Sequence, residues 1–168
     1  MTANDTAETG FRAVIMSEDS IYGLILVTGM IVLSNSLAST SLNALLTVVV
    51  TVIVFFAAHV YSRTIAHMAT SRGHGNLWIS LGAAAAGTVG MLVASVIPLV
   101  ILLLGVSHFI DDDTAIWTAV IVDTVLLGIL GWFAVARWTP HFWARISSAL
   151  VTAAFGGVLA LLKAVVHH

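Results

Sequence analysis

Asp123 is the residue whose type and position most clearly allow chemistry, because it stands inside a long apolar stretch. It lies near the middle of the run 114–136, which contains no arginine or lysine that would neutralise it. An ionisable side chain inside a bilayer is costly, so it should face the interior of a helix bundle or a wet cavity. Asp123 is then either a proton or cation site, or a protonated or hydrogen-bonded aspartate that serves packing.

A second group of titratable residues comprises His59, Arg63 and His67, which are spaced four residues apart. Residues at that spacing share one face of a helix, and Ser62 joins the same face. The stripe either lines a vestibule that opens to the cytoplasm or forms an interfacial helix end whose side chains snorkel outward. In the first case, His59 lies deepest and belongs to an ion or proton pathway.

Two carboxylates, Glu18 and Asp19, stand directly before the apolar run 20–38. Carboxylates suit the start of a helix, where they accept from unpaired N–H groups and meet the positive end of the helix dipole. Alternatively, they meet Arg63 or His59 across the first helical hairpin and form a gate or a cation entry.

Several kinds of active site are missing from the sequence. The chain has no cysteine, and it contains neither an HExxH nor a GxSxG motif nor a glycine-rich phosphate loop. A haem held by two histidines needs partners at matching depth, and the other histidines near helix ends give His59 no such partner. We therefore expect no enzyme and no cofactor, while metal binding stays open. The net charge of −2, without a basic patch, argues against a nucleic-acid partner.

The elements that must position these residues are transmembrane helices. The 168 residues are 60% hydrophobic and 8% charged, with a mean hydropathy of +1.07, so lipid must be the solvent for most of the surface. A spanning helix needs about 20 apolar residues. The sequence predicts an all-α polytopic bundle of about five helices in a single domain, 20–168, after a polar cytoplasmic segment, 1–19. The runs are 20–38, 43–67, 77–106, 114–136 and 144–166.

The distribution of basic residues predicts the orientation of the chain. Cytoplasmic loops carry an excess of lysine and arginine. With five spans, only Lys163 falls on one side, together with Asp111, Asp112 and Asp113, which we expect to cap the fourth helix and stay solvated. The other side carries Arg12, Arg63, Arg72, Arg137 and Arg145. We therefore expect a multi-pass protein of the cell membrane, with its N-terminus in the cytoplasm and its C-terminus outside.

Small residues indicate where helices approach each other. Gly87 and Gly90 lie in the third run, and Gly156 and Gly157 lie in the fifth. Small side chains allow close backbone contact where lipid removes the hydrophobic drive for association. These glycines either pack the bundle internally or form the interface of a homo-oligomer or of a complex with other membrane subunits.

Two stretches carry a resemblance to known proteins. The runs VIVFFAAHVYSRTIA and SSALVTAAFGGVLALLKAVVHH resemble small polytopic membrane proteins of actinobacteria that have no assigned function. The segment FRAVIMSEDSIYGLILVTG resembles the start of vacuolar iron transporter-like proteins, which have five spans and an acidic residue entering the first helix. The second resemblance implies that Asp19 falls at or near that acidic position. In this chain Glu18-Asp19-Ser20 replaces the asparagine–aspartate–glycine step of that family, and its glutamate-rich cytoplasmic segment has no counterpart.

Taken together, these residues favour a small transporter or channel-like protein that passes protons or cations beside Asp123 and His59. The alternative is a non-catalytic accessory subunit that binds a larger membrane complex through its small-residue helix faces. In both cases the lipid bilayer is the main partner.

Overall fold

The computed structural model describes residues 18–37, 40–70, 76–136 and 138–166, except the side chains at positions 18, 35–37, 163 and 166. These residues form five α-helices joined by short connections, which confirms the predicted all-α bundle. The helices are α1 (Glu18–Leu37), α2 (Ser41–Thr70), α3 (Leu77–Val106), α4 (Asp112–Ala136) and α5 (Phe142–Val166).

The long helices have the composition that a lipid environment requires. Among the described residues, α2, α3, α4 and α5 are long and apolar enough to cross a membrane. Their outward-facing side chains are large and apolar, as at Val50, Leu103, Val125 and Leu150, each of which is about half exposed or more. A helix satisfies its own backbone hydrogen bonds, so such a surface can face hydrocarbon. These features are those of an integral membrane protein.

The first helix, α1, is the centre of the bundle. It packs against each of the other described helices, and its described apolar stretch, Asp19–Ser34, is shorter than theirs. At Gly23, an added Cβ would lie 2.9 Å from Cγ of Met91 and 3.1 Å from its Cα, so α1 and α3 are in close backbone contact. The buried side chains of α1 include polar ones, Ser20 and Thr28. An interior position explains why α1 carries more polar side chains than a lipid-facing helix tolerates.

Contacts at the two ends of the bundle show that consecutive helices alternate in direction. At one end, Arg63 near the end of α2 meets Asp19 at the start of α1. At the same end Arg145 of α5 donates from Nε to the carbonyl oxygen of Thr139, at 3.1 Å, in the turn after α4. We call this the arginine end. The other predicted basic residues at this end, Arg12, Arg72 and Arg137, lie outside the described residues.

The opposite end, which we call the aspartate end, joins the starts of α2 and α4. The backbone N–H of Ser41 donates to Oδ1 of Asp112 at 3.1 Å. Asp112 is the first residue of α4, yet its carboxylate satisfies the N-terminus of α2. For Asp112, this contact differs from the expectation that the three aspartates cap their own helix. The structure differs because the start of α2 lies within reach of Asp112 and carries unpaired N–H groups.

Candidate functional site

The candidate site at the centre of the bundle is built around Asp123. The side chain is fully buried, and it faces inward together with the fully buried Val120 and Leu127 one turn away on α4. Oδ2 lies within hydrogen-bond distance, at 2.7 Å, of Oγ1 of Thr28 on the central helix. Oδ1 is buried and has no hydrogen-bond partner among the described residues. The carboxyl group therefore has one neutral polar neighbour in an otherwise apolar setting.

The Thr28 hydroxyl has a second neighbour. Its Oγ1 lies 2.9 Å from the carbonyl oxygen of Leu24, four residues earlier on α1. A threonine hydroxyl carries a single proton to donate but can accept as well. Asp123, Thr28 and Leu24 therefore form a short chain of oxygen atoms in which the positions of the hydrogen atoms depend on the charge of Asp123.

At the arginine end, Asp19 and Arg63 form an ion pair between α1 and α2. Nη2 of Arg63 donates to Oδ1 of Asp19 at 3.1 Å and lies 3.0 Å from Oδ2. The Asp19 side chain is 3% exposed and that of Arg63 is 35% exposed. On α3, a Cβ at Gly87 would lie 2.9 Å from Nη1 of Arg63, so the glycine leaves room for the guanidinium. Three helices therefore meet at this pair.

Beside the ion pair lies a groove of about 400 Å³ between α1 and α2. The ring of His59 is 6.4 Å from the rings of both Tyr22 and Phe55, and its Nδ1 lies 3.1 Å from the carbonyl oxygen of Phe55. We call this the Arg63 groove. It is lined by Asp19, Tyr22, Phe55, Ala58, His59, Ser62 and Arg63.

The structure brings some of the predicted site residues together and separates others. Asp19, His59 and Arg63 share the Arg63 groove. Asp123 is apart from them, because its partner Thr28 lies nine residues beyond Asp19 on α1, about 14 Å along the helix axis. The Glu18 side chain lies outside the described residues.

Apolar side chains fill the space between the two polar sites. Leu24 and Val27 of the central helix are 1% and 0% exposed. Ser20, also fully buried, lies at the level of the ion pair rather than of Thr28. In this conformation the Arg63 groove and Asp123 are therefore separated by packed side chains along α1.

The predicted packing glycines have different surroundings. Gly87 is exposed apart from its contact with Arg63, whereas Gly90 is buried in α3. At Gly156 of α5, a Cβ would lie 3.0 Å from Cα of Thr124 on α4, so the two backbones are in close contact. At Gly157, a Cβ would meet nothing within 4 Å among the described residues. Gly156 therefore packs the bundle internally, and Gly157 faces away from it.

Sequence reasoning missed Thr28 as the partner of Asp123, and it missed Gly131 as a contact point. Ser148 of α5 donates to the carbonyl oxygen of Gly131 at 2.8 Å, across the interface of α4 and α5. One signal was available for Thr28, because a hydroxyl near the middle of an apolar run lies at about the depth of Asp123. That signal does not tell which of the several threonines and serines is the partner.

The chemistry available at these sites is protonation and ion pairing. No group of three or more histidine, cysteine, aspartate or glutamate residues in the described part of the chain is arranged to hold a metal ion. Asp123 can hold and release a proton in a dry environment, and Asp19 and Arg63 can separate and re-form at the arginine end. Comparison of the chain with protein-family models, with curated proteins and with solved structures gives no match.

Proposed function

We propose that the protein is a small proton or cation transporter, or a channel-like protein, with Asp123 as its central site. The observation that carries the proposal is the complete burial of Asp123, whose described hydrogen-bond partner is a neutral hydroxyl. An isolated ionisable group costs several kcal/mol at this depth, and a leucine would fill the position without that cost. Asp123 therefore has a use that depends on its proton or its charge.

The Arg63 groove supplies the cytoplasmic entrance in this proposal. Arg63 is partly exposed, while Asp19 is buried behind it, so the ion pair closes the groove towards the centre of the bundle. Opening requires the pair to separate and the packed side chains Leu24 and Val27 to move. The positive-inside rule favours the cytoplasm for this end.

Flux into vesicles tests the proposal directly. The purified protein is reconstituted with a pH-sensitive dye inside, and proton gradients and a panel of cations are applied from outside. Asp123→Asn should lower the flux about a hundredfold or more, the loss that follows from removing a proton-transfer group. The matched control is Asp111→Asn, which changes an exposed aspartate just before the same helix and should leave the flux unchanged. Wild-type vesicles that behave like empty ones under every gradient would contradict transport.

A second candidate function, an accessory subunit of a larger membrane complex, is favoured by a different surface. A shallow apolar depression of about 530 Å³ lies along α4 and α5, and it contains Trp117, Ala154, Gly157, Leu161 and Ala164. Small side chains on a lipid-facing surface allow another helix to approach closely. Purification from native membranes followed by mass spectrometry separates the two functions. A stoichiometric larger complex supports the subunit, and a single self-associating species supports the transporter.

A further inference from the structure

We infer that the species held at Asp123 is a proton rather than a metal cation, and that the Thr28 hydroxyl changes its partner when this proton leaves. The inference deepens the proposed function and rests on it for the role of Asp123 in transport. The bound proton itself follows from the hydrogen-bond geometry and does not depend on transport.

The number of hydrogen bonds that Thr28 makes depends on whether Asp123 is protonated. Oγ1 of Thr28 lies within hydrogen-bond distance of two oxygen atoms, 2.7 Å from Oδ2 of Asp123 and 2.9 Å from the carbonyl oxygen of Leu24. If Asp123 is ionised, both neighbours are acceptors, and the single hydroxyl proton serves only one of them. If Asp123 is protonated, Oδ2–H donates to Oγ1, and Oγ1–H donates to Leu24. Only the protonated form makes both hydrogen bonds.

The charged groups of the surrounding helices also bear on the protonation state of Asp123. A buried carboxylate persists when it is paired with an opposite charge or receives several hydrogen bonds. The run 77–106 that forms α3 contains no titratable residue at all. On the other helices packed around Asp123, the charged and titratable residues lie towards the ends or in the Arg63 groove. They are Glu18, Asp19 and Tyr22 on α1; His59, Tyr61, Arg63 and His67 on α2; Asp112 and Asp113 on α4; and Arg145 and Lys163 on α5.

The number of ligand atoms around Asp123 distinguishes a proton from a metal cation. Calcium takes about six to eight oxygen ligands, and magnesium takes about six, several of them waters. At Asp123, the polar side-chain contact in the described structure is the single one from Thr28, and the Leu24 carbonyl is reached only through that hydroxyl. Val27 and Val120, which are fully buried, occupy neighbouring inward positions on α1 and α4. One carboxyl and one hydroxyl suit a proton, which needs one acceptor atom and one hydrogen-bond partner.

The release step follows from this geometry. The O–H bond at Oδ2 of Asp123 breaks, and the proton passes to a water molecule that reaches the site in an open conformation, forming hydronium. The electron pair stays on Asp123, which becomes a carboxylate. Thr28 then turns its hydroxyl from Leu24 to Asp123 and donates to Oδ2. Thr28 is thus a positioning residue that stabilises both forms of the site.

Infrared difference spectroscopy of the full-length protein in lipid vesicles tests the inference. At neutral pH, the spectrum of the wild type minus that of Asp123→Asn should contain the carbonyl stretch of a protonated carboxylic acid. Thr28→Val should move this band to higher wavenumber, because the acid loses its hydrogen-bond partner, and Thr28→Ser should leave it near the wild-type position. Asp111→Asn serves as the control and should leave the band unchanged.

Other outcomes overturn the inference. Carboxylate bands alone in the difference spectrum would show that Asp123 is ionised. Loss of the acid band on addition of sodium, potassium or magnesium salt at constant pH would assign a metal cation to the site. An acid band that stays at its wild-type position in Thr28→Val would show that Thr28 is not the hydrogen-bond partner of Asp123. If Asp123→Asn does not fold, carbon-13 labelling of aspartate carboxyls identifies the band in the wild type.

The spectroscopic result is independent of flux. An acid band without any transport leaves the bound proton in place and contradicts the proposed function. Transport together with an ionised Asp123 contradicts the proton assignment and leaves transport in place.

Discussion

Oγ1 of Thr28 and Oδ2 of Asp123 lie 2.7 Å apart, and their hydrogen bond joins the central helix to α4 near the middle of both helices. Thr28→Val should lower the free energy of unfolding by roughly 1–3 kcal/mol, because it leaves a buried polar group without its partner. Thr28→Val combined with Asp123→Leu should cost less than the sum of the single variants, since no polar group is then stranded. Unfolding in mixed detergent micelles measures these differences, and strictly additive costs would show that the two residues do not interact.

The alternation of helix direction predicts the topology of the protein in the membrane. Reporter fusions at 69–76 and 137–143 should report a cytoplasmic location, because Thr70, Asn76 and Trp138 lie at the arginine end. Fusions at 107–111, at the aspartate end, and at the C-terminus should report the outside. A C-terminal reporter in the cytoplasm would contradict the expected five spans, because an odd number of spans places the two termini on opposite sides.

Two adjacent glycines on α5 give a matched pair of variants. Gly156→Leu should destabilise the bundle by about 2 kcal/mol or more, because its Cβ would lie 3.0 Å from Cα of Thr124. Gly157→Leu should leave monomer stability within about 0.5 kcal/mol, because its side chain points into open space. Thermal unfolding in detergent measures both. Equal losses in the two variants would mean that α5 is rotated relative to the described packing.

The Gly156→Leu and Gly157→Leu variants also test whether the protein assembles through this face of α5. If a partner helix covers the depression around Gly157, Gly157→Leu should dissociate the assembly without unfolding the protein. Size-exclusion chromatography with light scattering gives the mass before and after the change. An unaltered mass would show that this surface faces lipid.

The ion pair at the arginine end should respond unequally to removal of its two partners. Arg63→Met strands the carboxylate of Asp19, which is 3% exposed, and should cost about 3 kcal/mol. Asp19→Asn leaves Arg63, which is 35% exposed and still reaches water, and should cost about 1 kcal/mol. Urea unfolding in micelles compares them, and the double variant should recover part of the Arg63→Met loss. The reverse order would mean that Asp19 is more accessible than the structure shows.

Asp112 should stabilise α2 although it belongs to α4. Asp112→Ala removes the acceptor for the N–H of Ser41 and should cost about 1 kcal/mol, the usual contribution of an N-terminal cap. Asp112→Asn keeps an acceptor oxygen and should lower the free energy of unfolding by only about 0.3 kcal/mol. In Asp112→Ala, hydrogen exchange should become faster at the start of α2. Faster exchange confined to α4 would show instead that Asp112 caps its own helix.

The positions of the helices could be predicted from sequence because lipid imposes a simple rule. Every backbone polar group must be satisfied internally, so each long apolar run becomes a helix. The predicted run 77–106 matches α3 (Leu77–Val106) in full, and the other bounds differ by a few residues. The contact of Asp19 with Arg63 is one of the two alternatives that the sequence leaves open for Asp19, and it is possible because a short connection makes α1 and α2 antiparallel neighbours.

The arrangement of the helices around one another could not be predicted. Hydropathy does not tell which of the five described helices is central, and here it is the first. The hydrogen bond between Thr28 and Asp123 joins residues 95 positions apart, so no local pattern indicates it. Gly156 and Gly157 look equivalent in sequence, yet adjacent residues point about 100° apart on a helix, so only its rotation decides which one is packed.

The central position of α1 has a consequence for how the protein is made. α1 leaves the ribosome first, but the helices that enclose it are synthesised later. Thr28 and Asp123 are separated by 95 residues, so at the usual rate of synthesis roughly 5–20 s pass before they can meet. During that interval the polar face of α1 has no α4 to cover it. We therefore expect the first described helix to stay beside the translocation channel until the fourth arrives.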